Sequence, residues 1–101
     1  MELRDLRYVV AIAEERSLTR AAARLHMTQP PLSAHLQDLE RRLGARLFVR
    51  HRRGVDLTEA GQYLIPRAVR LLDELAALER GVRSVGQGTA GRLAITFDPA
   101  L

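Results

Sequence analysis

The chain has 101 residues, of which 47% are hydrophobic and 28% are charged, and this composition fits a small globular protein. It contains no cysteine, which excludes a disulfide framework and a cysteine-ligated metal site. Its 16 basic residues are all arginines and outnumber the 12 acidic residues, so the net charge is +4. A basic surface favours a polyanionic partner, although a charge of this size does not by itself identify one.

An amphipathic helix is predicted near the N-terminus. Its apolar residues recur at helical spacing and are Leu3, Leu6, Val9, Val10, Ile12 and Ala13. We expect this helix to close a three-helix core with the two helices that follow it. The resulting domain, residues 1–57, is close to the lower size limit for a stable core, so packing against the rest of the chain is expected.

The segment Leu18–Leu39 predicts two short helices joined by a tight turn, which is the pattern of a helix-turn-helix. Ser17 is a good N-cap for the first of these helices, and Thr28 can cap the second. Pro30–Pro31 falls in the first turn of the second helix, where a missing N–H costs little. That helix is expected to end at Gly44, a residue typical of left-handed C-terminal caps.

The second helix has two distinct faces. Its leucines share one side at about 100° per residue, and we expect all four to be buried: Leu32, Leu36, Leu39 and Leu43. The opposite side and the exposed N-terminal tip hold the candidates for contact with DNA: Gln29, Pro30, Ser33, Ala34, Gln37 and Arg41. Specificity is expected to rest chiefly on Gln29, because a glutamine amide pairs with adenine through two hydrogen bonds. A plain helical hairpin remains the alternative.

Two histidines of this region have structural interpretations. His35 lies at the edge of the leucine stripe, so a packed side chain is a better interpretation than a base-reading one. His26 falls in the turn and is expected to serve only the turn or a cap.

A short β-hairpin is predicted directly after the second helix. Leu47–Val49 and Val55–Leu57 form its strands, and Gly54 supplies the backbone freedom that the basic turn needs. A hairpin in this place is the wing of a winged helix. Three arginines are candidates for contact with phosphates or with a narrow minor groove: Arg50, Arg52 and Arg53. The alternative is a solvated charge run, but the preceding helix-turn-helix favours the wing.

A long helix is predicted from Thr58 to Val85, in a second unit of residues 58–86. It would extend about 40 Å, too far for the small domain to cover, so its apolar seam is expected to meet a second copy of the chain. We assign five seam residues to this dimer contact: Leu71, Leu75, Leu78, Val82 and Val85. For Leu64 and Ala68, packing against their own domain is an alternative to contact with a second copy. Pro66 is expected to kink the helix or to separate a short first piece.

The composition changes after the long helix. Ser84–Gly91 is rich in glycine and predicts a flexible linker. Arg92–Phe97 alternates like a β-strand, but no partner strand follows it. We therefore expect residues 87–101 to form a hinge and the start of a truncated further domain.

In these motifs and their order, the chain resembles the DNA-binding domain and linker helix of LysR-type transcriptional regulators. The resemblance rests on LRYVVAIAEERSLTRAAARLHMTQPPLSAHLQDLERRLGARLFVR, on the wing RHRRGVDLTEAG and on the final GRLAI, and it covers nearly the whole chain. It implies a mainly helical fold, namely a winged helix-turn-helix of three helices and a β-hairpin followed by a long dimerisation helix. It further implies antiparallel pairing of that helix in a dimer on an interrupted inverted repeat of double-stranded DNA. A small-molecule effector would bind only a C-terminal domain that is absent here.

The resemblance also implies roles for particular residues. Thr28, Gln29, Pro30 and Ser33 match the recognition-helix positions that meet bases and backbone, and Arg50 and Arg53 match the arginines of the wing. The chain departs from the family pattern at Ala34, Gln37 and Asp38, where relatives often have basic residues. We therefore expect DNA affinity to depend more on the wing in this chain.

Two other classes of function are considered. An enzyme is disfavoured, because His26, His35 and His51 lack metal-site spacing, and no glycine-rich phosphate loop or Ser-His-Asp arrangement stands out. No catalytic residue, cofactor or metal is expected. The second alternative is a helical dimerisation or adaptor module that binds protein rather than DNA. The chain shows no signal peptide or transmembrane run, so a cytoplasmic location without a membrane partner is expected.

Overall fold

The computed structural model describes residues 1–88. The elements in chain order are α1 (Leu3–Glu15), α2 (Leu18–Arg24), α3 (Gln29–Leu43), β1 (Phe48–His51), β2 (Gly54–Leu57) and α4 (Glu59–Gly88). The two strands pair antiparallel, with Phe48 opposite Leu57 and His51 opposite Gly54. This is a winged helix-turn-helix followed by a long helix, so the predicted fold class is confirmed. The strand predicted at residues 92–97 lies outside the described residues.

The first two helices begin and end where their local chemistry favours it. At the start of α1, the Glu2 N–H donates a hydrogen bond to Asp5 Oδ2 at 2.9 Å, as half of a reciprocal capping box. The helix ends at Arg16, which adopts a left-handed conformation with φ of 55°. At the start of α2, Ser17 Oγ accepts from the Arg20 N–H at 3.1 Å, so the predicted N-cap is confirmed. His26 lies in the turn, as predicted, and has a φ of 59°.

The hydrophobic core joins all three helices of the helix-turn-helix to the wing. Its buried members are Val9, Ala11, Ile12, Leu18, Ala21, Ala22, Leu32, Leu36, Leu39, Leu47, Phe48 and Val55. A second cluster attaches α4 to α1: Ala68 is buried against Leu6 and Val10, and Leu64 packs against the same group. The small domain therefore uses the first half of α4 to complete its core, and the interpretation that Leu64 and Ala68 pack on their own domain is confirmed.

The predicted burial of the leucine stripe is wrong at one residue. Leu32, Leu36 and Leu39 are buried, but Leu43 is 43% exposed, and Glu40 is buried in its place. Glu40 Oε2 accepts hydrogen bonds from the backbone N–H groups of Leu47 and Phe48, at 2.7 and 3.4 Å. These bonds compensate the burial of the carboxylate where the chain turns back toward β1. Leu43, in the last turn before the Gly44 cap, extends beyond this contact.

The long helix differs from the prediction in two respects. It is a single element through Pro66, so of the two predicted effects of this proline, the separation of a short first piece is wrong. Packing of Leu64 and Ala68 on either side of the proline holds this stretch on the domain and offsets the missing hydrogen bond. The helix also continues through Gly88, so Ser84–Gly88 is helical and the boundary drawn at residue 86 falls inside it. A glycine destabilises a helix by only about 1 kcal/mol relative to alanine, so a glycine-rich composition does not by itself end the helix.

Candidate nucleic-acid interface

The outer surface of α3 brings together the residues predicted to meet DNA. Pro30, Ala34 and Gln37 are exposed, and Ser33 is half-buried beside them. The exposed side of α3 is therefore a ridge of small and polar side chains, opposite the buried leucines. This is the shape that a recognition helix requires if its side chains are to reach base edges in a major groove.

The N-terminus of α3 differs in detail from the prediction. Thr28 occupies the N-cap position with an extended backbone, but its side chain makes no capping hydrogen bond, so that part of the prediction is wrong. The hydroxyl of this exposed residue therefore does not accept a hydrogen bond from the first N–H groups of α3. Gln29, expected at an exposed tip, is half-buried as the first helical residue. Pro30 and Pro31 lie in the first turn as predicted, since that turn does not need their N–H groups.

The wing carries three of the predicted contacts to DNA, Arg50, Arg52 and Arg53. Arg50 lies in β1 and pairs with Val55, so the strand extends two residues further than predicted. Arg52 and Arg53 form the two-residue turn between the strands, and both are exposed. A short turn of this kind holds the charged side chains away from the core.

A hydrogen bond joins the wing to α3. The Arg50 guanidinium donates to Ser33 Oγ, across 17 positions of the chain. The sequence predicts that both residues contact DNA, but it gives no sign that they contact each other. This bond places the base of the wing beside the exposed side of α3.

The opposite side of the wing is attached to the end of α1. The Val55 N–H donates to Arg16 O at 3.2 Å, and the Arg16 guanidinium donates to Asp56 Oδ1 at 3.0 Å. Gly54 has φ of 141°, and a Cβ at this position would lie 2.2 Å from Arg16 O. Glycine is therefore required here for two reasons, the backbone conformation and the close approach of another backbone. Sequence reasoning identified only the first.

Asp56 also organises the tip of the wing. Its Oδ2 lies 2.9 Å from His51 Nε2, and His51 Nδ1 accepts a hydrogen bond from the Arg53 N–H at 3.1 Å. In neutral His51 these two contacts place the proton on Nε2. The Arg16 guanidinium, together with His51, holds the pKa of the Asp56 carboxyl below its ordinary value. The side chain of Asp56 thus links the tip of the wing to the body of the domain.

A second charged network lies along α3. Asp38 accepts from Arg42 Nε at 2.9 Å and from Arg41 at 3.1 Å, and the Arg42 guanidinium lies 3.6 Å from the buried Asp5 of α1. Arg42, with Arg41, holds the pKa of the Asp38 carboxyl below its ordinary value. Asp38 thus neutralises part of the positive charge on this helix, as its sequence suggested.

From Leu71 onward, α4 has an apolar stripe on its exposed surface. Leu71, Leu78, Val82 and Val85 are 51%, 63%, 64% and 44% exposed, and Leu75 is half-buried. Single exposed apolar residues are ordinary, but a continuous stripe of leucine and valine along one helix is typical of an interaction surface.

The family described as "Bacterial regulatory helix-turn-helix protein, lysR family" matches residues 3–62, which is more than half of the chain. The chain belongs to the LysR family.

Curated members of the LysR family are similar over almost the whole chain. The HTH-type transcriptional regulator XapR of Escherichia coli (strain K12) is 48% identical over 92 residues, covering 91% of this chain and 31% of XapR. BudR of Klebsiella aerogenes is 49% identical over 96 residues, covering 94% of this chain and 66% of that protein. The chain spans about a third of the length of XapR. These relatives are named as transcriptional regulators.

Solved structures of the LysR family have the same fold. The BenM_DBD/catB site 1 DNA complex is 40% identical with a TM-score of 0.83, and the match covers 86% of this chain and 98% of that one. The CbnR_DBD-DNA complex is 38% identical with a TM-score of 0.79, covering 86% of this chain and all of the other. Within residues 1–88 of the present chain, no helix has the length and hydropathy needed to cross a membrane.

Proposed function

We propose that this chain binds double-stranded DNA sequence-specifically, as the DNA-binding part of a bacterial transcriptional regulator. One observation supports the proposal most directly: the outer ridge of α3 lies beside an arginine wing, and the hydrogen bond from Arg50 to Ser33 joins the two. A recognition helix with a wing beside it suits a major groove and the adjoining minor groove. Similarity to the BenM_DBD and CbnR_DBD chains, which were solved with DNA, further supports it.

The proposed contacts divide into two groups. Those at α3 face bases and the adjacent backbone and are Thr28, Gln29, Pro30, Ser33, Ala34 and Gln37. Those of the wing face phosphates or the minor groove and are Arg50, Arg52 and Arg53. Gln29 is the proposed source of base discrimination, because its amide offers a donor and an acceptor to one base. The neutralised charge around Asp38 makes the wing the larger contributor to affinity.

We further propose that the chain acts as a homodimer. The exposed stripe of α4 supplies the contact, through Leu71, Leu75, Leu78, Val82 and Val85. Resemblance to the family supports an antiparallel pair of these helices. Two wings and two recognition helices would then meet an interrupted inverted repeat.

The remaining assignments follow from this function. Bacterial chromosomal DNA lies in the cytoplasm, so we place the protein there, without a membrane partner. We assign it no catalytic role and no cofactor, since the similar proteins are named as regulators. A small-molecule effector would act through a further C-terminal domain. An adaptor module that binds protein instead of DNA has no specific observation in its favour.

Selection of binding sites from a random DNA pool tests the proposal. The wild-type chain should enrich two related half-sites in inverted orientation. Gln29→Ala should enrich sites with a weaker preference at one position of each half-site. A wild-type pool without any enriched sequence would contradict sequence-specific binding, and unchanged preferences for Gln29→Ala would contradict the role of that residue.

A further inference from the structure

An open cleft of about 590 Å³ lies between the second half of α3 and strand β1. Its lining contains three arginines, Arg41, Arg46 and Arg50, together with Gln37 and a single carboxylate, that of Glu40. The cleft thus has an excess of positive charge at the junction of the helix and the wing. Arg46 was not singled out by any sequence pattern, because it stands alone between apolar residues.

The position of the cleft identifies what would occupy it, if the proposed function holds. With α3 in a major groove and the wing in the adjoining minor groove, one strand of the DNA backbone separates the two elements. In that arrangement the strand runs along the surface between the two elements, and the cleft opens on this surface between α3 and β1. We propose that the cleft binds a backbone phosphate of duplex DNA through Arg41 and Arg46, with Arg50 at its edge.

The ion pair of Arg41 does not prevent this contact. Arg41 has a side chain that is 73% exposed and lies 3.1 Å from Asp38 Oδ1. Asp38 keeps a second partner, since Arg42 Nε donates to its Oδ2 at 2.9 Å. Exposed ion pairs contribute little to stability, so Arg41 can turn to a phosphate without leaving Asp38 unpaired.

Arg46 is available for the same reason. Its side chain is 72% exposed, and its Nε lies 3.7 Å from Glu40 Oε2. That oxygen already accepts from the backbone N–H groups of Leu47 and Phe48. Glu40 therefore remains hydrogen-bonded when Arg46 moves to a phosphate, whose geometry suits a guanidinium fork.

Salt-dependent DNA binding tests the assignment. We would measure the affinity of the full chain for a pool of random-sequence duplexes and for the duplex enriched by selection, across a salt series. Arg41→Ala and Arg46→Ala should each reduce the slope of log affinity against log salt by about 0.9 per bound subunit, with base preference unchanged. Arg46→Lys should retain most of the slope. Arg80→Ala, on the exposed surface of α4, is the matched control and should leave the slope unchanged.

The possible outcomes separate the two proposals. Slopes for Arg41→Ala and Arg46→Ala equal to those of wild type and Arg80→Ala would overturn the cleft assignment while leaving DNA binding intact. A change of base preference in Arg41→Ala would overturn the phosphate role of that residue. If the wild-type chain showed no salt-dependent binding to either duplex, both the proposed function and the cleft would be overturned. Circular dichroism of each variant should match wild type, because both side chains are exposed.

Discussion

At the scale of single residues, the position of the wing depends on contacts with the end of α1. Gly54 approaches Arg16 O so closely that no side chain fits, and the neighbouring Val55 N–H donates to the same oxygen. Asp56 and His51 extend this attachment to the tip of the hairpin. Residues outside the proposed DNA contacts thus help to position the arginines of the wing.

Replacement of Gly54 should displace the wing. Gly54→Ala forces a positive φ on alanine and a clash with Arg16 O, and we expect a loss of about 1–3 kcal/mol in the free energy of unfolding. Urea denaturation followed by circular dichroism measures it. Arg52→Ala, in the same turn and exposed, is the control and should change stability by less than about 0.5 kcal/mol. Equal stability of the two variants would show that the close approach is not required.

The charge on Asp56 should make stability depend on pH. Its carboxyl has a pKa below the ordinary value of 3.8 in the folded chain, mainly because of Arg16, so its stabilising contribution is full above that value. The contribution is lost as the pH falls through the lowered pKa. Asp56→Asn should therefore flatten the acid limb of unfolding free energy against pH below about pH 4. Asp73→Asn, on exposed α4, serves as the control, and an acid limb of Asp56→Asn as steep as wild type would contradict the role of this ion pair.

At the scale of the elements, local chemistry made most of the fold predictable. Ser17 and Gly44 mark a start and an end that depend only on backbone groups nearby, and the structure places caps at both. Burial of Glu40 was not predictable, because its compensation comes from the backbone of a later strand. The contact between Ser33 and Arg50 was not predictable either. It joins α3 to β1, and hydrophobic periodicity does not show how far apart two elements lie.

The junction of the wing and α4 offers a test at this scale. Thr58 Oγ1 donates to Arg46 O at 2.6 Å and accepts from the Gly61 N–H at 3.1 Å. Thr58→Ala should lower stability by about 1–2 kcal/mol, as for other N-terminal caps. The conservative variant Thr58→Ser keeps both hydrogen bonds and should stay close to wild type. Calorimetry checks this, and a melting temperature of Thr58→Ala equal to that of Thr58→Ser would contradict it.

At the scale of the whole molecule, α4 has two roles along its length. Its N-terminal part completes the core of the domain through Ala68 and Leu64, whereas the part from Leu71 onward presents the apolar stripe. The same spacing of four and three residues runs through both halves, so sequence periodicity alone could not locate where one role ends. The last buried residue of α4 is Ala68, which packs against Leu6 and Val10 of α1.

The proposed dimer predicts that polar substitutions in the stripe weaken self-association. Leu78→Gln buries an amide in the helix pair and should raise the dimer dissociation constant at least about tenfold, equivalent to about 1.4 kcal/mol. Sedimentation equilibrium measures this constant. Arg80→Gln lies on the same helix outside the stripe and should leave the constant unchanged. If Leu78→Gln dimerised as tightly as Arg80→Gln, the stripe would not be the contact.

In the proposed complex, α3 discriminates bases while the arginines supply affinity for any DNA sequence. Affinities of wild type, Gln29→Ala and Arg53→Ala for a selected duplex and for random-sequence duplexes, measured across a salt series, test it most directly. Gln29→Ala should lose about 1–3 kcal/mol of discrimination between the two duplexes with an unchanged salt slope. Arg53→Ala should weaken binding to both and reduce the slope by about one unit per bound subunit. Equal wild-type affinity for the selected and the random duplexes at every salt concentration would contradict the claim.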